Sequence, residues 1–99
     1  MTFEWDEAKR RSNFAKHGVD FERAHLIFDG PILEAPDGRR DYGERRVGAY
    51  GEADGEVLFV IYTRRGASRR LISARKAGAD ERQTYREAVA QDDDGETLD

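Results

Sequence analysis

Ninety-nine residues, 37% hydrophobic and 38% charged, are enough for one modest core and too few for two. No stretch is long and apolar enough to span a bilayer, the opening MTFEWDEAKRR lacks the apolar segment of a secretory signal, and the absence of cysteine excludes disulfides and thiolate metal sites. The net charge of -4 misleads about partners, because Asp92–Asp99 carries five acids and no base, and without it 17 basic residues stand against 16 acidic ones.

In chain order, Phe3–Asp6 reads as a short strand or extended entry, and Asp6 can cap the helix that follows. Glu7–Lys16 reads as a charged helix whose buried stripe is Ala8, Ser12 and Ala15 with Phe14 alongside, stopped by Gly18. Asp20 starts a second helix, with Phe21, Ala24, His25 and Phe28 at helical spacing, and Asp29-Gly30-Pro31 ends it. His25 on this stripe reads as a packed histidine.

From Ile32 the period changes. Ile32–Ala35 is a short strand, followed by the turn-rich PDGRRDYG, and Glu44–Gly51 is a second strand. Ala53-Asp54-Gly55-Glu56 is a hairpin turn of the kind that needs positive φ. Val57–Thr63 is apolar throughout and is expected at the centre of the sheet, buried on both faces. A turn at Gly66 leads to a last strand over Arg69–Lys76, which Gly78 breaks. Asp80 with Gln83 gives a capping-box pattern for a closing helix with Tyr85, Ala88 and Val89 on its apolar face.

The expected fold is therefore α+β: a small antiparallel sheet with two N-terminal helices and one C-terminal helix. Phe14, Phe21, Phe28, Phe59 and Ile61 or its neighbours are expected to supply much of the core. Residues 1–91 form a single domain and residues 92–99 an acidic tail expected to be disordered.

Six of the basic residues, with no acid among them, fall between Arg64 and Lys76. Simple alternation puts Arg70, Ile72, Ala74 and Lys76 on one face of the last strand, and Arg69, Leu71, Ser73 and Arg75 on the other. Ile72 and Ala74 then pack under helices, while Ser73 and Arg75 project from the uncovered face and can grip a phosphate. The bland alternative is a solvated face whose charges discourage edge aggregation. No glycine-rich phosphate loop, helix-spaced histidine pair or nucleophile elbow is present. His17, at the end of the first helix, is either a proton carrier or a helix-terminal cap.

The blocks FEWDEAKRRSNFAKHGVDFERAHLIFDGP, ERRVGAYG and VIYTRRGASRRLISARKAGADERQTYREA, in that order, cover nearly all of Phe3 to Ala88. Their combination of W-D-x-x-K, K-H-G-V, E-R, I-S-A-R-K-A and E-R-x-x-Y resembles the BrnT family, toxins of type II toxin–antitoxin systems. The resemblance implies a RelE/ParE-like fold and a metal-independent, cofactor-free endoribonuclease that cleaves RNA and inhibits translation in the cytoplasm. It also implies a cognate BrnA-type ribbon-helix-helix antitoxin, through which operator DNA is bound only indirectly, and no role at a membrane.

Under that reading His17, Glu44, Arg45, Arg75 and Lys76 are the catalytic candidates, with Arg75 and Lys76 clamping phosphate and Glu44 and His17 exchanging protons. Lys16, Tyr62, Arg64, Arg65, Ser73 and Tyr85 are candidates for holding RNA. Glu44-Arg45 equally fits a cross-strand ion pair, and Tyr85 a core residue. Two rivals stand beside this reading: a non-catalytic interaction module with a basic docking face, and a ParE-like gyrase poison.

Overall fold

The computed structural model describes residues 2–37 and 45–97. Strand β1 (Thr2–Glu4) leads into helix α1 (Glu7–His17), whose start is fixed by the Asp6 carboxylate accepting from the Ala8 and Lys9 N–H groups at 2.8 and 3.1 Å. Gly18 ends it in the left-handed conformation at φ 71°, as the sequence requires. Asp20 then caps helix α2 (Phe21–Ala24), which tightens into a 3-10 turn over His25–Asp29. Arg10 reaches from α1 onto the Asp20 carboxylate with two hydrogen bonds of 2.7 and 3.1 Å, tying the two helices together.

The sheet is built from β1, β2 (Leu33–Asp37), β3 (Arg46–Ala53), β4 (Glu56–Arg65) and β5 (Ser68–Lys76), in the order β1-β5-β4-β3-β2. Val57–Thr63 thus lies in the central strand, as its unbroken apolar run implied. The sheet is mixed rather than antiparallel, because β1 pairs with β5 in parallel through Thr2–Ser68, Phe3–Arg69 and Glu4–Arg70. No hairpin constrains that pair: β1 and β5 are separated by most of the chain, so either direction is open to them. The β3–β4 hairpin turns through Asp54 and Gly55 at φ 52° and 82°, the positive-φ pair expected of Asp-Gly.

One irregularity in β5 decides which of its side chains share a face. Ile61 pairs with Ser73 but Tyr62 pairs with Leu71, so Ile72 is an extra residue, a β-bulge. A bulge reverses the alternation beyond it. Leu71 and Ala74 therefore both point into the same core, and both are fully buried. Simple alternation had placed them on opposite faces.

The principal core lies on the face covered by the N-terminal helical segment. Phe21, Ala24 and Ile27 pack there on Ala49, Leu58, Val60, Tyr62, Leu71 and Ala74. His25 stacks between the rings of Phe3 and Trp5, as a packed histidine should. The expected core list needs correcting. Phe21 is fully buried, Phe28 is half-buried, and Phe59 and Ile61 are half-buried on the other face of β4, while the neighbours of Ile61, Val60 and Tyr62, are fully buried in the core. Phe14 is 55% exposed.

The α1 stripe is also different, since Ala8, Ser12 and Ala15 face solvent and the buried residue is Asn13. The reason is polar. Beyond Arg70, β5 has no paired β1 residue, so the outer N–H and C=O of Ala74 need partners. Asn13 supplies them: its Oδ1 accepts from the Ala74 N–H at 3.1 Å, and its Nδ2 donates to the Ala74 carbonyl at 2.9 Å. Nδ2 also donates to the Val19 carbonyl at 3.0 Å.

Helix α3 (Ala79–Thr97) closes the fold against the opposite face of the sheet, where Tyr85 and Ala77 bury Val57. It runs past Asp92, the start of the acidic segment. Its entry is not the Asp80–Gln83 box: Gln83 donates instead to Glu87, and the reaching carboxylate is Glu81, which accepts from the Gly78 N–H at 2.8 Å. Among the described residues no helix is long and apolar enough to cross a membrane.

Candidate functional site

Register assigns the residues of the sheet face opposite the principal core. One row is Tyr50, Phe59 and Arg75; the next is Gly48, Ile61 and Ser73; a third is Arg46, Thr63 and Arg70. α3 covers only the Val57 end, so Tyr50, Phe59, Ile61, Ser73 and Arg75 remain partly open. Expected burial on both faces of β4 thus holds at Val57 and Thr63 and fails at Phe59 and Ile61. The result is an aromatic and basic surface on a rigid sheet.

Arg75 is held on this surface from several sides. Its guanidinium forks onto Glu81 with bonds of 2.8 and 3.0 Å, lies 4.7 Å above the centre of the Phe59 ring, and donates to the Lys76 carbonyl at 3.2 Å. Tyr50 stacks on Phe59 at 4.5 Å and donates its hydroxyl at 2.5 Å to Glu81 Oε2, the carboxylate oxygen that also accepts from Arg75 Nη2. Glu81 therefore accepts from Arg75, Tyr50 and the Gly78 N–H together. Those bonds, Arg75 first, hold its carboxyl far below the usual carboxylate range. In the other direction, the Glu81 hydrogen bond raises Arg75, and burial followed by the Glu81 bond raises Tyr50. At neutral pH Glu81 is a fixed anion, Arg75 a fixed cation and Tyr50 a proton donor. Beside them Leu33, Tyr50, Asp80, Glu81 and Thr84 line a shallow hollow of about 210 Å³.

The remaining residues singled out in the sequence scatter. Lys76 sits on the other side of β5 from Arg75 and pairs with Glu56 at 3.4 Å, so the two adjacent cations do not converge. Ser73 is half-buried on the open face opposite Ile61. Arg45 is exposed just before β3, where its carbonyl accepts from the Thr63 hydroxyl at 2.7 Å. Arg64 and Arg65 are exposed at the end of β4. Lys16 and His17 lie exposed in the last turn of α1, without a hydrogen bond or ion pair to another described residue, where positive charge suits the helix terminus. Glu44 lies outside the described residues.

The two tyrosines belong to the packing. Tyr62 is fully buried and donates its hydroxyl to Glu34. Tyr85 is buried against Val57 and donates to the Pro31 carbonyl at 2.7 Å. Neither ring is available for a base to stack on without repacking. The six-cation run also divides: Arg69 lies 4.2 Å over the Phe28 ring on the helix-covered face, Arg70 pairs with Glu4 at 3.1 Å, and only Arg75 joins the aromatic row.

Tyr50, Phe59 and Glu81 were missed as site residues. A signal for the first pair was present. The Asp54-Gly55 turn sets Ala53 opposite Glu56, and counting back along both strands puts Tyr50 opposite Phe59. Glu81 follows Gly78 at capping-box spacing, which marks a carboxylate turned back toward the end of β5.

Residues 5–81 match the family described as "Ribonuclease toxin, BrnT, of type II toxin-antitoxin system". The match covers most of the chain and all three strands of the open face, and the chain belongs to that family. Among curated proteins there is no match to this sequence.

Proposed function

We propose that the open sheet face is the catalytic surface of a metal-independent endoribonuclease, and that Arg75 holds the scissile phosphate. The observation that carries this reading is the immobilised guanidinium of Arg75, gripped by Glu81 and Phe59 on the exposed side of a central sheet, in a chain of the ribonuclease toxin family. Of the five N–H donors of an arginine, the bonds to Glu81 and to the Lys76 carbonyl use three. Of the two N–H donors left, the Tyr50 hydroxyl beside the guanidinium takes at most one, so at least one remains for a phosphate oxygen. Glu81 thus orients the fork without exhausting it.

The reaction needs no cofactor. The ribose 2′-hydroxyl attacks the adjacent phosphorus, the bond to the 5′-oxygen breaks, and a 2′,3′-cyclic phosphate and a 5′-hydroxyl result. Charge gathers on the non-bridging oxygens in the transition state, where a preorganised arginine contributes most. Tyr50, which shares the Glu81 carboxylate with Arg75, suits protonation of the leaving oxygen, while the half-open rings of Phe59 and Tyr50 offer a flat surface for a base. Glu44 and His17 remain proposed proton-transfer groups, with Arg45, Arg64, Arg65 and Lys16 as outlying cations along the strand of RNA.

A type II toxin has an antitoxin partner. We take that partner to be a BrnA-type ribbon-helix-helix protein that covers the open face, contacts operator DNA in the complex and leaves the toxin no RNA to cut. The fold assignment that accompanies this reading is RelE/ParE-like, and the site of action is translation in the cytoplasm.

The test is cleavage of end-labelled RNA by the purified protein in EDTA, with analysis of the product ends. Cleavage leaving 2′,3′-cyclic phosphate, reduced at least about a hundredfold by Arg75→Ala, is the expected result. A folded wild-type protein that cuts no RNA, or cuts only with added divalent metal, would overturn the reading.

A further inference from the structure

A second hollow, of about 310 Å³, lies at the end of the sheet where the β3–β4 hairpin meets the link from β5 to α3. Val57 and Ala77 form its apolar floor, Lys76, Arg82 and Arg86 its basic wall, and Glu56, beside Gly55, adds one carboxylate to the lining. Arg82 and Arg86 are one helical turn apart on α3, so their guanidinium groups rise from one side of the helix. Lys76 enters from the last position of β5.

The charges here are differently occupied from those around Arg75. Lys76 leans on Glu56 at 3.4 Å, a carboxylate already taken by Arg23 at 2.7 Å, and Arg86 leans on Glu52 at 3.0 Å. Both are exposed pairs, which a stronger anion readily displaces. Arg82 bonds the Ala77 carbonyl at 3.1 Å and pairs with no carboxylate among the described residues. One arginine is thus braced by the backbone with no carboxylate partner among the described residues, between two cations held by weak partners.

We propose that this hollow binds a backbone phosphate of single-stranded RNA, one outside the bond being cleaved. The inference rests on the ribonuclease reading of the open face and adds to it a second anchoring point. Lys76 and Arg75 are consecutive residues pointing to opposite sides of β5. A strand of RNA whose scissile phosphate sits at Arg75 can therefore pass around the end of the sheet and meet Lys76 and Arg82 next. Phosphate is favoured over a smaller anion because three donors of differing reach surround a space much larger than one carboxylate. This contact positions RNA and carries no base readout.

The experiment uses the intact protein and a fluorescent twelve-residue oligouridine with 2′-O-methyl groups, which binds but is not cleaved. Affinity is measured between about 50 and 200 mM salt for wild type, Arg82→Gln and Arg82→Glu. Arg82→Gln is expected to weaken binding about three- to tenfold and to lower the slope of log K against log salt by about 0.7. Arg82→Glu is expected to weaken it further, while single-turnover cleavage of an unmodified RNA at saturating protein stays within about twofold. Arg82 is exposed, and matching thermal melts verify the fold of each variant. Unchanged affinity and slope in Arg82→Glu overturn the inference and leave the ribonuclease reading standing. So does a variant that binds RNA normally but loses its antitoxin, since the hollow then receives an acidic protein segment. Wild-type protein that neither binds nor cuts RNA overturns both.

Discussion

Arg75 and Glu81 are joined by a two-pronged ion pair that fastens the last strand to the first turn of the closing helix. The pair does two jobs. It aims the guanidinium across the open face, and it secures the entry of a helix that otherwise touches the sheet through little beyond Tyr85 and its neighbours. Losing Arg75 therefore risks the helix as well as the chemistry. Glu81→Gln separates the two: the amide oxygen keeps an acceptor for Arg75, while the charge is gone. Glu81→Gln is expected to retain the fold with α3 in place and to lower cleavage about tenfold, read in the same assay as Arg75→Ala. A loss matching that of Arg75→Ala in a well-folded Glu81→Gln protein would make the carboxylate itself a reacting group.

The same carboxylate gives a pH dependence with a definite sign. Its folded pKa lies far below the ordinary 4.5, so its contribution to stability is complete above about 4.5 and is lost as the pH falls below that value. Urea midpoints of wild type and Glu81→Gln are accordingly expected to differ most near pH 6 and to converge toward pH 3. A gap that stays constant across this range would mean that the lost contact is one of packing and not of charge.

Arg69 and Arg64 face each other across the β4–β5 ladder, yet they are expected to behave oppositely. Arg69 is half-buried, 4.2 Å over Phe28 and 5.3 Å over Tyr62, so its flat group covers the edge of the main core. Arg69→Ala is expected to cost about 1–2 kcal/mol of stability through lost cation–π and packing contacts. Its effect on cleavage should be small once folding is matched. Arg64 is exposed, and Arg64→Ala is expected to leave stability unchanged while weakening RNA binding a few-fold, an effect that salt erases. Equal melting temperatures for the two variants would remove the structural role given to Arg69.

The contrast between these arginines shows how far the sequence could be read. Local chemistry was legible: Asp6 and Asp20 as caps, Gly18 as a stop, Asp54-Gly55 as a turn, and the unbroken run of Val57–Thr63 as the central strand. Each is fixed by a few neighbouring residues. The bulge at Ile72 was not legible, because an extra residue in a strand leaves no mark in composition, and it decides which arginines share a face. Parity along β5 was right for Ser73 and Arg75 and wrong for the residues before them. The parallel pairing of β1 was hidden for a similar reason, since Thr2–Glu4 finds its partner across most of the chain. The site followed the same division. Arg75 stood out by charge, whereas Glu81 and Tyr50 became site residues only because three separate elements meet there.

Gly51 shows what a buried strand position demands when backbone packs on backbone. A Cβ added there would lie 2.6 Å from the Ile27 Cβ and 3.2 Å from the Ile27 carbonyl oxygen, because the 3-10 turn rests directly on β3. Neither atom is the end of a flexible side chain, so the turn itself has to move. Gly51→Ala is expected to destabilise the protein by about 1–3 kcal/mol, the range for overfilling a packed core. Chemical denaturation provides the number, and a neutral result would show that the 3-10 turn shifts freely over the sheet.

Asn13 gives the sharpest test of how the fold is held. A helix facing a sheet usually offers an apolar side chain, and α1 offers an amide because it lies along the unpaired stretch of β5. The amide does there what another strand would do, giving an acceptor to the Ala74 N–H and a donor to the Ala74 carbonyl. Asn13→Ala leaves both groups, and the Val19 carbonyl, without that partner at a buried position. An expected loss of about 2–3 kcal/mol follows from the desolvation of such groups. Asn13→Leu should not rescue it, although leucine is larger and more apolar, because size is not what the site lacks. Asn13→Asp should be worse than alanine near neutral pH, since an ionised carboxylate would face two carbonyl oxygens in place of the donor they need, and it should improve as the pH falls and the carboxyl gains a proton to donate. Urea unfolding of the three variants at pH 7 and pH 4 ranks them. A leucine variant as stable as wild type would show that the space beside Ala74 is simply apolar, and the account of α1 as a stand-in for a strand would be wrong.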